Sequence, residues 1–186
     1  MSEIDVLSDN LITREDSVLV VIDVQDKMMP PVAEGQKVLD NVVRLLKFSQ
    51  ILHLPVILTE QNKLGGTLPE VLAARPDLKP IRKWEFGCFR CHEFVDQLRA
   101  LDRSTLILAG VEAHICVAQT ALQGVADYTV HVVSDATSSR DRDNWKVAIK
   151  RMRRAGAVIT STEMVMYELM GRAGTDEFRE VLPLVK

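Results

Sequence analysis

Short runs of branched apolar residues alternate along the chain with longer stretches of helical periodicity. Ser17 to Asp23 and Leu106 to Ala109 are continuous apolar runs, which is typical of strands buried on both faces of a parallel sheet. Further extended segments are predicted at 56–59, 129–133 and 158–160, and residues 81–91 are expected to be irregular and aromatic. This alternation predicts a three-layer α/β/α fold, built around one doubly wound, mostly parallel sheet of Rossmann-type strand order.

The segments between the strands predict helices and their ends. Gly156 closes a helix that contains Trp145, as a glycine beyond a helix C-terminus does. Thr160-Ser161-Thr162-Glu163 matches a capping box for a helix that runs through Met170. A further helix is expected to begin at Cys116. Since no linker divides the chain, we expect a single domain over residues 1–186, with an N-terminal arm (1–16) and a C-terminal tail (173–186).

Composition narrows the class of partner. The formal net charge of -3 gives no reason to expect nucleic acid or an anionic membrane as a partner. No apolar run approaches the roughly 20 residues that a membrane helix requires. The three cysteines do not make a disulfide framework, and the N-terminus lacks the layout of a secretory signal. We therefore expect a cytoplasmic, reduced protein.

Three chemically competent side chains follow predicted strands or extended segments. Asp23 ends the first strand, Lys83 comes after a short extended run, and Cys116 follows the strand Leu106 to Ala109 after a brief turn. Ligands of such sheets bind beyond the carboxyl ends of the strands. Asp23 and Cys116 are therefore expected at one edge of the sheet, with Lys83 as a third candidate there.

These residue types suit nucleophilic catalysis. A cysteine at the start of a helix faces unpaired N–H groups and the positive end of the helix dipole, which favour the thiolate. Asp23 is suited to general acid–base work, and Lys83 would stabilise both anions. Backbone N–H groups of the turn before Cys116 could bind an oxyanion. Together these groups predict acyl transfer through a thioester; the competing interpretations are a core cysteine, a turn aspartate and a surface lysine.

Three motifs resemble the isochorismatase-like cysteine hydrolases, a superfamily that also contains nicotinamidases and N-carbamoyl amide hydrolases. They are Val21-Ile22-Asp23-Val24-Gln25, Lys83 with the aromatic and small residues through Phe89, and Gly110-Val111-Glu112-Ala113-His114-Ile115-Cys116-Val117. The resemblance spans about residues 17–172. Thr59-Glu60-Gln61 and the segment 135–140 are most similar to the isochorismatase domain-containing branch.

The resemblance implies a site and a reaction. It implies Asp23, Lys83 and Cys116 as the catalytic triad. It also implies a cis peptide bond between Val111 and Glu112, with the N–H groups of Glu112 and Cys116 as oxyanion donors. The implied activity is hydrolysis of an amide or carbamoyl C–N bond in a small carbonyl substrate, without a cofactor, by a homo-oligomer of two or more chains.

Two departures limit the implied activity. Nicotinamidases carry an Asp-x-His metal motif after the second strand, where this chain has Glu60-Gln61-Asn62. We therefore expect no metal, and nicotinamide is disfavoured as the substrate. Isochorismatases proper do not use a cysteine nucleophile, so Cys116 argues against vinyl-ether cleavage. The substrate itself stays open.

Residues in the loops near these motifs are candidates for the wall of a substrate pocket, with core packing as the alternative. They are Met28, Gln61, Trp84, Phe86, Phe89 and Ile115. His114 is not expected to pair with Cys116, because residues two apart do not face each other on a helix. The segment from Arg140 to Asp143 is interpreted as a solvated helix start.

Cys88-Phe89-Arg90-Cys91-His92 offers a second interpretation of the chain. As a C-x-x-C-H motif it matches haem attachment, which would require export, and as a zinc site it lacks a second pair of ligands. A thiol redox or sensor protein that uses Cys88 and Cys91 is the alternative function. A non-catalytic small-molecule-binding member of the same family is another.

Overall fold

The computed structural model describes residues 11–185, and within them six strands form one parallel sheet. The strands are β1 (Ser17–Ile22), β2 (Val56–Gln61), β3 (Ile81–Lys83), β4 (Thr105–Val111), β5 (Thr129–Ser138) and β6 (Val158–Thr160). Their order is β3-β2-β1-β4-β5-β6, with every neighbouring pair parallel. The predicted doubly wound α/β sheet is therefore confirmed, and the topology reverses between β1 and β4, where a ligand crevice is expected.

Helices cover both faces of the sheet. They are α1 (Gly35–Ile51), α2 (Pro69–Ala74), α3 (His92–Ala100), α4 (Ala118–Gly124), α5 (Arg142–Arg154), α6 (Thr162–Met170) and α7 (Asp176–Val185). Alternate residues of β1 enter opposite cores: Leu19 and Val21 pack with α1 and α6, whereas Val18 and Val20 pack on the side of α3, α4 and α5. This two-sided burial explains why the strand is apolar at consecutive positions.

The structure corrects three local predictions. β5 continues to Ser138 instead of ending at Val133, because β4 extends to Val111 and pairs with it again beyond a register shift. The helix expected at Cys116 begins three residues earlier, as a π-helical turn over Ala113–Val117 that leads into α4. The N-cap of α6 is Ser161, whose hydroxyl accepts from the Met164 N–H, and not Thr160.

The ends of the described chain pack against each other. Ile12 is buried and its N–H donates to Glu168 of α6 at 3.3 Å, while Arg14 forms an ion pair of 2.7 Å with Glu177 of α7. Residues 1–10 of the expected arm and Lys186 of the tail lie outside the described residues. None of the helices between residues 11 and 185 has the length and apolar character needed to span a membrane.

Candidate active site

Asp23 leaves the sheet immediately after β1 and is held by the neighbouring strand. Its backbone has a left-handed conformation, with φ of 54°, and its N–H donates to the carbonyl of Thr59 at 3.2 Å. The Thr59 hydroxyl donates to Asp23 Oδ1 at 2.8 Å. The side chain of Asp23 is fully buried. One carboxylate oxygen is therefore fixed by β2, which leaves the other for a second partner.

Lys83 is that partner. It is the last residue of β3 and pairs in register with Gln61 at the end of β2. Its Nζ donates to Asp23 Oδ2 at 2.7 Å, to Gln61 Oε1 at 2.9 Å and to the carbonyl of Glu85 at 3.2 Å. Burial by itself lowers the pKa of Lys83, but the attraction of the Asp23 carboxylate and its hydrogen bond to the ammonium group act in the opposite direction. The net effect is a raised pKa, which favours the ammonium form of Lys83.

Cys116 reaches the same edge through β4. Ile22 pairs in register with Gly110, and Gly110 has φ of +110° with a Cβ position only 2.1 Å from the Ile22 carbonyl oxygen. Only glycine fits so close an approach of two backbones. The π-helical turn that follows carries Cys116, which is 3% exposed and belongs to the same apolar cluster as Ile22 and Cys88.

The protonation state of Cys116 differs from the expectation. Its pKa is raised, first by burial and second by the negative charge of Asp23. Lys83 acts in the opposite direction but does not prevail. The expected thiolate is therefore corrected to a resting thiol, because the helix start and the lysine do not compensate for the loss of water.

A cavity of about 290 Å³ opens beside Cys116. It is lined by Lys27, Met28, Pro31, Gln61, Leu64, Phe86, Glu112, Ile115, Cys116 and Arg140. Of the expected pocket residues, two lie elsewhere. Trp84 is 63% exposed, with Lys63 Nζ 5.3 Å from the centre of its ring. Phe89 packs against the rings of Phe94 and Tyr128 at 5.5 and 5.7 Å, so its aromatic surface is used in the core.

The cavity wall contains an ion pair that the sequence did not reveal. The peptide bond between Val111 and Glu112 is cis. The Glu112 side chain is 1% exposed, and its Oε1 lies 2.7 Å from Arg140 Nε. Its Oε2 lies 3.6 Å from His114 Nδ1, which is 2.9 Å from the Ser139 hydroxyl. Arg140 was expected at a solvated helix start; its side chain is exposed, but it closes one side of the cavity against Glu112.

Cys88 and Cys91 are not joined by a disulfide bond in the structure. Both are buried, and all three cysteines of the described residues are free thiols. Burial is the main cause that raises the pKa of Cys88, to about 12. Unlike Cys116, neither thiol lines the cavity, so a reactant that enters the cavity would not meet them, and this argues against the thiol redox alternative.

Two residues of the segment that corresponds to the nicotinamidase metal motif, Glu60 and Gln61, have side chains bound by protein groups. Glu60 Oε1 accepts from the N–H and the hydroxyl of Thr67, both at 2.8 Å, and Glu60 Oε2 lies 3.4 Å from Arg82. Gln61 binds Lys83 and the carbonyl of Trp84. These residues do not fit a metal ion, and between residues 11 and 185 no three His, Cys, Asp or Glu side chains cluster as ligands would.

Fold and site together define a member of the isochorismatase family. The isochorismatase domain matches residues 17–164, and the chain belongs to that family. The resemblance stated from the sequence is confirmed.

Individual relatives cover most of the chain. Isochorismatase domain-containing protein 2 of Xenopus laevis is 35% identical over 173 residues, which cover 91% of this chain and 83% of that protein. The structure of the MAR1 ribonuclease from Caenorhabditis elegans superposes with a TM-score of 0.88 at 33% identity, and covers 94% of this chain and 92% of its own. Escherichia coli YcaC is described as an octameric hydrolase of unknown specificity. Its structure superposes with a TM-score of 0.86 at 26% identity, and the match covers 96% of this chain and 89% of YcaC.

Proposed function

We propose that this isochorismatase-family protein is a cysteine hydrolase that cleaves an amide or carbamoyl C–N bond of a small carbonyl compound. One observation carries the proposal: Cys116 lines a cavity of about 290 Å³ and lies beside a buried Asp23–Lys83 pair with a 2.7 Å contact. A nucleophile that lines the cavity thus has a proton acceptor and a fixed cation buried beside it, neither of which lines the cavity itself. The cavity volume is at the lower end of ligand pockets, roughly 300–1,000 Å³, which favours a small substrate.

Asp23 is the proposed proton carrier. As the Cys116 sulfur bonds to the substrate carbonyl carbon, the thiol proton passes to the Asp23 carboxylate and the carbonyl π electrons move to oxygen. When the electrons return, the C–N bond breaks and Asp23 gives its proton to the leaving nitrogen. Water then attacks the thioester, the C–S bond breaks, and the carboxylic (or carbamic) acid and the Cys116 thiol are released. The resting thiol suits this sequence because proton transfer and attack are coupled.

Lys83 is proposed to act through its positive charge and not by transferring a proton. Its pKa is raised, and its Nζ has acceptors on Asp23, Gln61 and the Glu85 carbonyl. Both features favour the protonated form during turnover. Its positive charge lowers the pKa of Cys116, and a buried charge acts strongly because little water screens it. Lys83 therefore stabilises the developing negative charge on sulfur.

The N–H groups of Glu112 and Cys116 are the proposed oxyanion donors. They flank the turn between the end of β4 and the nucleophile, and preorganised N–H groups of this kind stabilise a tetrahedral oxyanion. The ion pair of Glu112 with Arg140 holds the side chain of the first donor residue. We infer that the reaction needs no metal or other cofactor, because Glu60 and Gln61 at the nicotinamidase metal position are engaged with Thr67, Arg82 and Lys83.

The oligomeric state of the protein is proposed by comparison with a structural relative, and its location is predicted from the sequence. YcaC is described as octameric, and we propose that this chain also forms a homo-oligomer; its cytoplasmic location stays a prediction from the sequence. The C. elegans neighbour is described as a ribonuclease. A formal net charge of -3 gives no general attraction to a phosphate backbone, so we retain the small carbonyl substrate.

The test is trapping of an acyl group on Cys116. The protein is incubated with a library of small primary amides and N-carbamoyl compounds, and intact mass spectrometry with peptide mapping locates any adduct. We expect an acyl adduct on Cys116, product formation, and neither in Cys116→Ala.

Cys91→Ala is the matched control, because it removes a buried thiol that does not line the cavity; it should keep full turnover. Full turnover in Cys116→Ala would refute the mechanism, and loss of turnover in Cys91→Ala would favour the redox alternative. If no compound gives turnover or an adduct, the non-catalytic binding interpretation gains support.

A further inference from the structure

A buried glutamine lies two residues beyond Asp23 and holds the end of the adjacent strand. Gln25 is fully buried, and its Nε2 donates to the carbonyl of Gln61 at 3.0 Å and to the carbonyl of Gly65 at 2.8 Å. Its Oε1 accepts from the Gln61 N–H at 2.8 Å. Both main-chain polar groups of Gln61 are therefore bound by one side-chain amide, which restricts where the Gln61 side chain can go.

The Gln61 side chain in turn binds the lysine of the candidate active site. Its Oε1 accepts from Lys83 Nζ at 2.9 Å, and its Nε2 donates to the carbonyl of Trp84 at 2.9 Å. An ammonium group has three N–H donors. Those of Lys83 have acceptors on Asp23, on Gln61 and on the carbonyl of Glu85. Gln61 is the link between the amide of Gln25 and this ammonium group.

We propose that Gln25 is a positioning residue, which keeps the Lys83 ammonium group against Asp23 by holding Gln61. The catalytic role of the Asp23–Lys83 ion pair rests on the proposed function. Lysine has a flexible four-carbon side chain and no rigid geometry of its own, so its place is set by its acceptors. Only an amide can do what Gln25 does here, because the position requires two donated bonds and one accepted bond. Ionised glutamate could accept but not donate, and methionine offers only a weak acceptor and no donor.

A purely structural role makes a different prediction. The main chain of Gln25 also forms an isolated antiparallel β-bridge with Thr67. The main-chain N–H of the next residue, Asp26, donates to the carbonyl of Gly66 at 3.0 Å. If these contacts were the whole function of the segment, its substitution would lower stability without changing the chemistry of Cys116. If Gln25 positions Lys83, its substitution weakens the effect of the ammonium charge on the sulfur, and the pH dependence of thiol reactivity changes.

The experiment measures alkylation of Cys116 by iodoacetamide in the full chain, so it needs no substrate. Rates are taken from about pH 6 to pH 10, where thiols ionise, with the modified residue identified by peptide mapping. We expect Gln25→Met to shift the rate profile to higher pH and to slow alkylation at about pH 8 by roughly three- to tenfold, since one pKa unit changes the thiolate fraction tenfold. Gln61→Met should do the same. The double variant should be no slower than Gln61→Met, because Gln25 acts through Gln61.

Two control variants separate the possible failures. Asn41→Leu removes another buried amide, which donates to the carbonyl of Asp135 at 2.7 Å and does not line the cavity; it should lower stability and leave the profile unchanged. Lys83→Gln removes the charge. If it shifts the profile while Gln25→Met does not, the positioning proposal is overturned and the proposed function stands. If Lys83→Gln has no effect, the charge role within the proposed function fails, and the positioning proposal with it.

Folding of the variants is checked by circular dichroism. Should Gln25→Met fail to fold, Gln25→Glu replaces it, because glutamate keeps the bond accepted from the Gln61 N–H and loses both donated bonds. An unshifted profile in a folded Gln25→Glu would contradict the proposal. Additive shifts in the Gln25→Met, Gln61→Met double variant would contradict it as well, since they would show that the two residues act independently.

Discussion

Lys83 Nζ lies 2.7 Å from Asp23 Oδ2, and neither side chain is exposed to solvent. Thr59 supplies a hydrogen bond to the other carboxylate oxygen, and Gln61 supplies a second acceptor for the ammonium. A buried ion pair contributes little net stability, because desolvation offsets the attraction between the charges. We therefore interpret the Asp23–Lys83 pair as serving the proposed reaction at Cys116 and not the stability of the fold.

Loss of one partner should be far more costly than loss of both. Lys83→Met leaves the Asp23 carboxylate buried without its counter-charge, and we expect the free energy of unfolding to fall by about 3–5 kcal/mol. The double variant with Asp23→Asn should be more stable than Lys83→Met alone, since no buried charge is left. Urea denaturation followed by circular dichroism measures both. If the free-energy loss in the double variant equals the sum of the losses in Lys83→Met and Asp23→Asn, the two residues are not coupled and the prediction is contradicted.

Alkylation of Cys116 should be slow at neutral pH and rise with alkali. Burial and Asp23 raise the pKa of Cys116 above the ordinary value of 9.0, so less thiolate is present at any given pH than in a free cysteine peptide. The rate should therefore still be increasing beyond about pH 9, where a free thiol levels off. Iodoacetamide labelling over a pH series checks this. A plateau below about pH 8 would show a stabilised thiolate and contradict the prediction.

Cys88 provides the internal comparison for that measurement. Its thiol is fully buried and does not line the cavity, so it should stay unlabelled in the folded protein under the same conditions. Cys88→Ser should leave the Cys116 profile in place. Labelling of Cys88 at a rate similar to that of Cys116 would instead revive the redox interpretation of the Cys88–Cys91 segment.

Gly110→Ala should be much more destabilising than Gly156→Ala. Both glycines have positive φ, +110° and +104°, so both variants incur backbone strain of roughly 1–2 kcal/mol. At Gly156 nothing lies within 4 Å of the added Cβ, whereas at Gly110 the Ile22 carbonyl oxygen would be 2.1 Å away. That contact forces β1 and β4 apart, so we expect a further loss of about 1–3 kcal/mol. The comparison is made by urea denaturation; similar losses for both variants would contradict the close backbone approach.

His131 should make the protein less stable in mild acid. It lies in β5, is 4% exposed, and burial lowers its pKa below 6.5, although Glu168 acts in the opposite direction. Below pH 6.5 the unfolded chain binds a proton that the folded chain does not, so stability is greatest above that pH. It then falls as the pH decreases toward the pKa of the folded state. His131→Leu should flatten the dependence of the urea midpoint on pH between about 5 and 7, the range in which histidine titrates.

The exposed His92 at the start of α3 offers the matched control for His131. His92→Gln should keep the pH dependence of the parent protein, because an exposed side chain loses little hydration on folding. A flattened dependence in His92→Gln, or an unchanged one in His131→Leu, would assign the acid sensitivity to other groups.

Much of the fold could be predicted because its signals are local. Continuous branched runs such as Ser17 to Asp23 have the composition of strands buried on both faces, and alternation with helices of a dozen residues requires a parallel sheet. That topology has one ligand edge, so Asp23, Lys83 and Cys116 could be assigned to it before any distance was known. The structure brings Asp23 into contact with Lys83 and brings Cys116 beside them.

The remaining features depend on what packs around each residue, and only the tertiary structure decides that. Desolvation leaves Cys116 a thiol although its position in the chain favours a thiolate, because burial depends on neighbours distant in sequence. The pairing of Glu112 with Arg140 exists only because β4 and β5 end side by side. Likewise, Phe89 faces Phe94 and Tyr128 instead of the cavity. The sequence determined which chemical groups reach one edge of the sheet; packing decided their protonation and which of their neighbours a substrate would meet.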